Sequence, residues 1–375
     1  MVGFDLYIEL GGSSTQDVDE IVSGRPRNTP ISDVATRVRL LTGTAAVNEG
    51  VKEYAIAGDR KKSGGYKSLV HSGKQQGSEY TRKLIREELQ RLRGLGLLTP
   101  SVSLVGLPAG SWFLQLEFTL AKPWISKDDD PFYVAESVNP VRKDKVFKVP
   151  LMSAASWKGL LRWTAMHVRL ALQKDQLKAE DFARERFRQA LLFGNEKGEE
   201  PGQARDFAVY LDSLNQDAAP LYRKLVKEYF RLSAETKEMP HHSGRLAFYP
   251  TFYDLIDVDV INPHSRKTRA GTNPIYLECV PAGAKGTFSL LYVPTDLIGK
   301  PENEVKTPAK EDLGLAAEGV SAMMLTYGFS AKRTSGFGTA QDQIENASVR
   351  TRANGRGWPL SSLSEVSDEV KNVRF

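Results

Sequence analysis

The sequence has 375 residues, enough for about two folding units. Its 41% hydrophobic and 26% charged residues are ordinary for a soluble globular protein, no apolar run nears the about 20 residues that span a bilayer, and no signal-peptide pattern opens the chain. One cysteine, Cys279, excludes an internal disulfide and a cysteine-based zinc site, and a formal charge of +5 gives a mild bias toward anionic partners. The expectation is a cytoplasmic protein with no membrane partner.

Residues 2–9 alternate loosely and predict a strand. The stretch to residue 78 is rich in Gly, Ser, Lys and Arg, most basic over Gly58–Lys67, and reads as solvated loop that orders on a partner. From Glu79 to Leu95, the spacing of Leu84, Ile85, Leu89 and Leu92 predicts a helix with Arg and Lys on its other face. Ser111–Leu120 reads as a strand, Leu114, Leu116, Phe118 and Leu120 facing one way and Gln115, Glu117 and Thr119 the other. A loop carrying Asp128–Asp130 follows. A helix then starts at Ser153, capped by Ser153 or Ser156, with Trp157, Leu160, Leu161, Ala165 and Val168 as its buried stripe. Residues 179–192 and 219–233 predict further helices, and 197–240 an excursion from the main sheet. Strands return at Arg245–Tyr253, Asp257–Ile261, Pro274–Val280 and Thr287–Val293. Strands that flank helices without regular alternation favour an α+β fold over a doubly wound parallel sheet.

Three segments carry anion-binding chemistry. Ser156, Lys158 and Arg162 sit at a helix start, where unpaired N–H groups and the helix dipole favour an anion, and Lys158 and Arg162 share a face. Asn262–Pro274, between two strands, holds His264, Arg266, Lys267 and Arg269 with no acid, which reads as a basic hairpin tip that touches phosphates. Gly328, Gly336 and Gly338 bracket Ser330, Lys332, Arg333, Thr334 and Ser335; glycines permit close backbone approach, and the hydroxyls and cations supply donors. The spacing fits neither a dinucleotide fingerprint nor a P-loop. His241-His242 lacks a third ligand and reads as a loop pair, His167 as structural, and Phe329 and Phe337 as packing or base-stacking rings.

Together with Leu192-Phe193-Gly194-Asn195-Glu196 and Val280-Pro281-Ala282-Gly283-Ala284, these segments resemble the RAMP superfamily of CRISPR-associated proteins, and more narrowly the backbone subunits of type III effector complexes. The resemblance covers about residues 111–345. It implies a modified RRM-like (ferredoxin-like) antiparallel sheet with helices, a helical insertion over about 197–240, and a thumb hairpin over about 257–280, leaving 1–110 as an N-terminal extension and 346–375 as a tail. It also implies CRISPR RNA, target RNA and other effector subunits as partners: the helix start and the Gly-rich loop hold the guide backbone, and the thumb displaces a base of the guide–target duplex.

Many relatives cut target RNA with an aspartate just before an Asn/Ser-Pro-Val segment. Here that segment is Asn139-Pro140-Val141 and the preceding residue is Val138, so the carboxylates left for cleavage are Glu136 and Asp144. No cofactor is implied by the binding role, and Mg²⁺ only if the chain cleaves. The expectation is a guide-RNA-binding subunit. The alternatives are a metal-dependent endoribonuclease subunit of the same complex, or a stand-alone guide-processing ribonuclease using a histidine such as His264.

Overall fold

Helices fill the N-terminal part where loops were expected. The structure, a computed structural model, describes residues 14–25, 30–57, 65–71, 78–127, 139–196, 207–233, 235–236, 241–262, 271 and 275–375. The strand expected over 2–9 and most of the basic stretch 58–67 lie outside them. Four helices, α1 (Thr15–Ser23), α2 (Val34–Val47), α3 (Lys52–Ala57) and α4 (Gly65–Val70), bury Val18, Ile21, Leu41, Ala45, Leu69 and Val70 in the main core. Local capping assists. Ser14 Oγ accepts the Asp17 N–H while Asp17 accepts the Ser14 N–H, and Asp33 accepts the Thr36 N–H at 2.7 Å. A few apolar residues per helix suffice because each helix leans on its neighbours rather than on its own propensity. The helix expected from Glu79 begins as a π-helical turn (Tyr80–Ile85) and continues as α5 (Arg86–Gly94), burying Leu84, Ile85 and Leu92.

Strand β1 (Trp112–Leu120) lies at the centre of a five-stranded antiparallel sheet. In chain order come β2 (Leu151–Met152), α6 (Ala154–Met166), α7 (Ala179–Phe193), α8 (Phe207–Leu214), α9 (Ala218–Tyr229), β3 (Leu246–Phe248) and β4 (Thr251–Phe252). There follow β5 (Asp257–Ile261), β6 (Ile275–Cys279), β7 (Lys285–Tyr292), α10 (Glu302–Ala322), β8 (Ala340–Thr351), β9 (Trp358–Pro359) and α11 (Val366–Glu369). The main sheet runs β3-β7-β1-β8-β9, while β2 pairs with β4 and β5 with β6. The strand expected over Arg245–Tyr253 is split between β3 and β4 around Tyr249-Pro250, where proline has no N–H to give a ladder. Leaving aside the two-residue edge strand β9, the elements that build the sheet and cover it come in the order β1, α6, β3, β7, α10, β8.

Alternation along β1 puts Leu114, Leu116, Phe118 and Leu120 beneath the helices, as the pattern predicts. Phe118 meets Trp157 of α6 edge-on at 6.1 Å, and Trp157 meets Phe288 of β7 at 4.9 Å. Against α6 lies α10, so closely that a Cβ on Gly319 would stand 2.9 Å from Leu161 Cδ1. Helices α7, α8 and α9 form a smaller core around Phe182, Leu211, Tyr222 and Val226. Its polar centre is Arg186, bonded to Glu196 and Asp212 and stacked 4.1 Å over the Tyr222 ring. The tail returns to the main core through Leu363, Val366 and Val370. Among the described residues no helix is long and apolar enough to cross a membrane.

Candidate nucleic-acid interface

The α6 start is capped by Ser153, whose Oγ accepts the Ser156 N–H at 3.2 Å; Ser156 Oγ lies 2.9 Å from that cap. Lys158, one turn further, is half-buried and has no carboxylate against it among the described residues. Burial, and then the charge of Arg162, lower its pKa from the ordinary lysine value. Arg162 itself turns inward. Its Nη1 and Nη2 donate to the carbonyls of Asn195 (3.0 Å) and Gly194 (3.3 Å), and its guanidinium lies 4.9 Å over the Phe207 ring.

The Leu192–Glu196 segment is thereby a joint between α6, the end of α7 and the approach to β3. Gly194 has φ +90°, and a Cβ there would stand 2.8 Å from the His242 carbonyl. The Asn195 side chain accepts the His242 N–H, and His242 Nε2 lies 3.2 Å from the Leu191 carbonyl, so this histidine serves the joint.

The Gly-rich loop divides its residues between inside and outside. Phe329 is buried, its ring 5.4 Å from Phe118 and 5.0 Å from Trp157. Ser330 is buried too, its hydroxyl donating to the Ile125 carbonyl and accepting the Ile125 N–H at 2.7 Å. Phe337 packs against Ile125, Leu277 and Cys279. A Cβ on Gly338 would lie 2.3 Å from Ser330 Cβ, so only glycine lets the two ends of the loop cross this closely. Between those ends, Lys332 (φ +58°), Thr334 and Ser335 are exposed.

Arg333 joins the loop to α6. Its guanidinium sits 4.4 Å over Trp163, and its buried Nη1 has no hydrogen-bond partner. Trp163 stacks on His167 at 4.9 Å, and Tyr327 stands edge-on to both rings. Two segments about 170 residues apart in sequence are thus joined where Arg333 lies over Trp163, and Lys158 on α6 and Lys332 and Arg333 on the loop are none of them paired with an acid among the described residues.

Strands β5 and β6 pair from Asp257↔Cys279 to Ile261↔Ile275, as the sequence predicts for this hairpin. His264, Arg266, Lys267 and Arg269, which follow β5 in sequence, lie outside the described residues, as do Glu136 and Asp128–Asp130. Asp144 is described. Its Oδ1 accepts the N–H groups of Val146 (2.8 Å) and Phe147 (2.9 Å), closing a tight turn. No group of three or more His, Cys, Asp or Glu among the described residues is placed to hold a metal.

Sequence reasoning missed a buried cluster at the hairpin base. Glu278 on β6 ion-pairs with Lys143 and accepts the Tyr66 hydroxyl at 2.7 Å and the Val141 N–H at 3.0 Å, while His71 Nε2 lies 2.8 Å away. The Lys143, His71 and Glu278 side chains are all essentially excluded from solvent. Burial alone would raise the Glu278 pKa, but the Lys143 charge and the His71 hydrogen bond outweigh it and hold the carboxyl at about 2. The cluster pins the N-terminal helices and the Asn139–Asp144 segment to β6. A lone acid in a strand and a lone lysine in a polar loop give no local signal of it.

The RAMP superfamily model matches residues 124–341, more than half of the chain. No curated protein matches in sequence. Among solved structures, a chain of the Type III-B Cmr-beta complex bound to cognate target RNA is 13% identical, with 90% of this chain and 98% of that one covered and a TM-score of 0.40. A chain of a Type IV-B CRISPR complex is 13% identical over 63% of this chain and 90% of that one, with a TM-score of 0.34. Cmr6 from Pyrococcus furiosus is 13% identical, with 62% and 97% covered and a TM-score of 0.28.

Proposed function

The chain belongs to the RAMP superfamily, and from that premise we propose that it is a CRISPR RNA-binding backbone subunit of a type III interference complex. The observation that carries this reading is the contact that seats Arg333 of the Gly-rich loop over Trp163 of α6, with Lys158 on the helix and Lys332 and Arg333 on the loop all without an acid partner among the described residues. Half-buried cations with no counter-ion raise the local potential, and exposed hydroxyls on a glycine-bracketed loop add neutral donors. Such a surface suits a phosphate backbone better than base edges, as a subunit that holds any guide requires.

The order β1, α6, β3, β7, α10, β8 supports a ferredoxin-like, RRM-like core. The β5–β6 hairpin is then the thumb, with Arg266, Lys267, Arg269 and His264 as its RNA contacts. The other partners in this reading are target RNA, paired to the displayed guide, and neighbouring effector subunits. Arg162 and Ser330 serve the surface indirectly, since their polar groups are bonded to Gly194, Asn195 and Ile125.

Binding rather than cutting is favoured because the Asp144 carboxylate already closes a turn. The test is purification of the chain within its complex. A small RNA with a repeat-derived end should come with it, and the Lys158→Ala/Lys332→Ala/Arg333→Ala variant should lose RNA. Three phosphate contacts on a single strand amount to a decrease of about 2 in the slope of log affinity against log salt. A flat salt response of the unaltered chain sinks the reading. With target RNA and Mg²⁺, Asp144→Ala should leave any cutting pattern of the complex unchanged.

A further inference from the structure

A second cationic surface lies outside residues 124–341, on the N-terminal helical part. A groove of about 490 Å³ runs along α5 and the π-helical turn before it, lined on that side by Arg82, Arg86, Leu89 and Arg93 and on the other by Asp254. All three arginines are exposed, and none pairs with a carboxylate among the described residues. Most acids of the same helix are engaged elsewhere. Glu79 bonds Arg37 and Lys83, each at 2.6 Å, and Glu88 pairs with Arg91 at 2.8 Å, while Glu87 is exposed away from the groove lining. Among the described residues the one acid in the groove lining is Asp254, which accepts the Lys285 N–H at 2.8 Å, and the three arginines outnumber it; burial raises its pKa from the ordinary aspartate value.

The groove is fixed relative to the hairpin. Tyr80, at the head of the helix, donates its hydroxyl to the Lys148 carbonyl at 2.6 Å, and Asp254 stands just before β5. Arg82 to Arg93 covers about 16 Å of helix, enough to meet several successive phosphates.

We propose that Arg82, Arg86 and Arg93 form a second RNA-backbone contact that carries the strand past the root of the β5–β6 hairpin. Guanidinium forks bind phosphate oxygens in pairs, and arginines a turn or more apart read no particular base. A protein partner would want an apolar centre, and among the described residues of the groove lining Leu89, half-buried, is the one large apolar side chain. This assignment rests on the RNA-binding reading above and extends it to the N-terminal extension.

The test uses the full chain, a labelled single-stranded RNA of mixed sequence, and binding curves across salt. Arg82→Ala/Arg86→Ala/Arg93→Ala should lower the salt slope by about 2, so that between 50 and 200 mM salt the unaltered chain loses roughly 20-fold more affinity than the variant. Lysine at the same three positions should restore most of the slope, which a merely structural role would not do. An unchanged slope in the alanine variant, with the unaltered chain still binding RNA, overturns the groove contact and leaves the Lys158–Arg333 surface standing. Loss of salt-dependent binding by the unaltered chain overturns both. An unchanged slope with loss of a co-purifying acidic subunit assigns the groove to a protein face and likewise overturns the inference.

Discussion

The hairpin base and the α6 surface both hold charge out of bulk water, yet they treat it in opposite ways. At the hairpin base the buried acid and the buried lysine answer each other, with Glu278 against Lys143, a hydroxyl, a backbone N–H and His71 Nε2, and only His71 Nδ1 is left without a hydrogen-bond partner. At the α6 surface Lys158 is half-buried beside Arg162, and Arg333 keeps one buried nitrogen without a partner. A matched cluster is an internal joint, because desolvation is offset only when each charge is answered. An unmatched one has a cost that an arriving anion relieves. In the proposed reading, complementarity within the chain, rather than charge, separates architecture from interface.

The largest effect should come from breaking the match. Glu278→Gln leaves Lys143 buried without its counter-ion and should cost about 3–5 kcal/mol, read by denaturant unfolding. The same group gives a pH signature. Its folded pKa of about 2 lies below the ordinary 4.5, so its contribution is complete above 4.5 and is lost as pH falls toward about 2. The span corresponds to about 3 kcal/mol at neutral pH. In Glu278→Gln that acid-limb loss should shrink; an unaltered acid limb would show that the cluster is not matched in the folded state.

Arg162→Ala tests a residue that sits at the α6 surface but belongs to the joint. Losing its bonds to Gly194 and Asn195 should cost about 2 kcal/mol, while the salt slope of RNA binding stays within experimental scatter. A slope reduced by a full phosphate contact would move Arg162 to the interface and blur the distinction.

This sorting was only half legible in the sequence. Strand β1 follows from period two and the α6 stripe from period 3.6 as far as Ala165, whereas Val168 falls in the π-helical turn after α6 and is only partly buried; Lys158 and the glycine-bracketed loop suggest anion chemistry through residue type alone. Helix α10 gives a weak signal because its buried face, Val305, Ala309, Leu313, Leu315, Ala316, Ala317 and Val320, is nearly half alanine and the helix contains Pro308. Strand β8 hid its period behind two irregularities against β1, between Gln115 and Glu117 and between Phe118 and Leu120. Direction is harder still. Ser330 and Ser335 are alike in a loop sequence, yet one bonds Ile125 in the core and the other is exposed. Glu278 meets partners 135 and 207 residues away, and no local pattern encodes such contacts.

Lys158→Met should have the smallest effect on stability and is the sharpest probe of the contrast. Burial and Arg162 lower the lysine pKa, so the folded chain disfavours this proton relative to the unfolded one. Stability of the unaltered chain should therefore gain slightly as pH rises toward 10.5, where the unfolded lysine also loses its proton. Methionine removes the charge and keeps the packing of the stem, so unfolding at neutral pH should shift by no more than about 0.5 kcal/mol, in the stabilising direction. RNA affinity should fall all the same, with the salt slope lower by about 0.7 for one contact. Stability and binding moving in opposite directions is what an unmatched cation kept for a ligand requires; a residue kept for the fold would lose both.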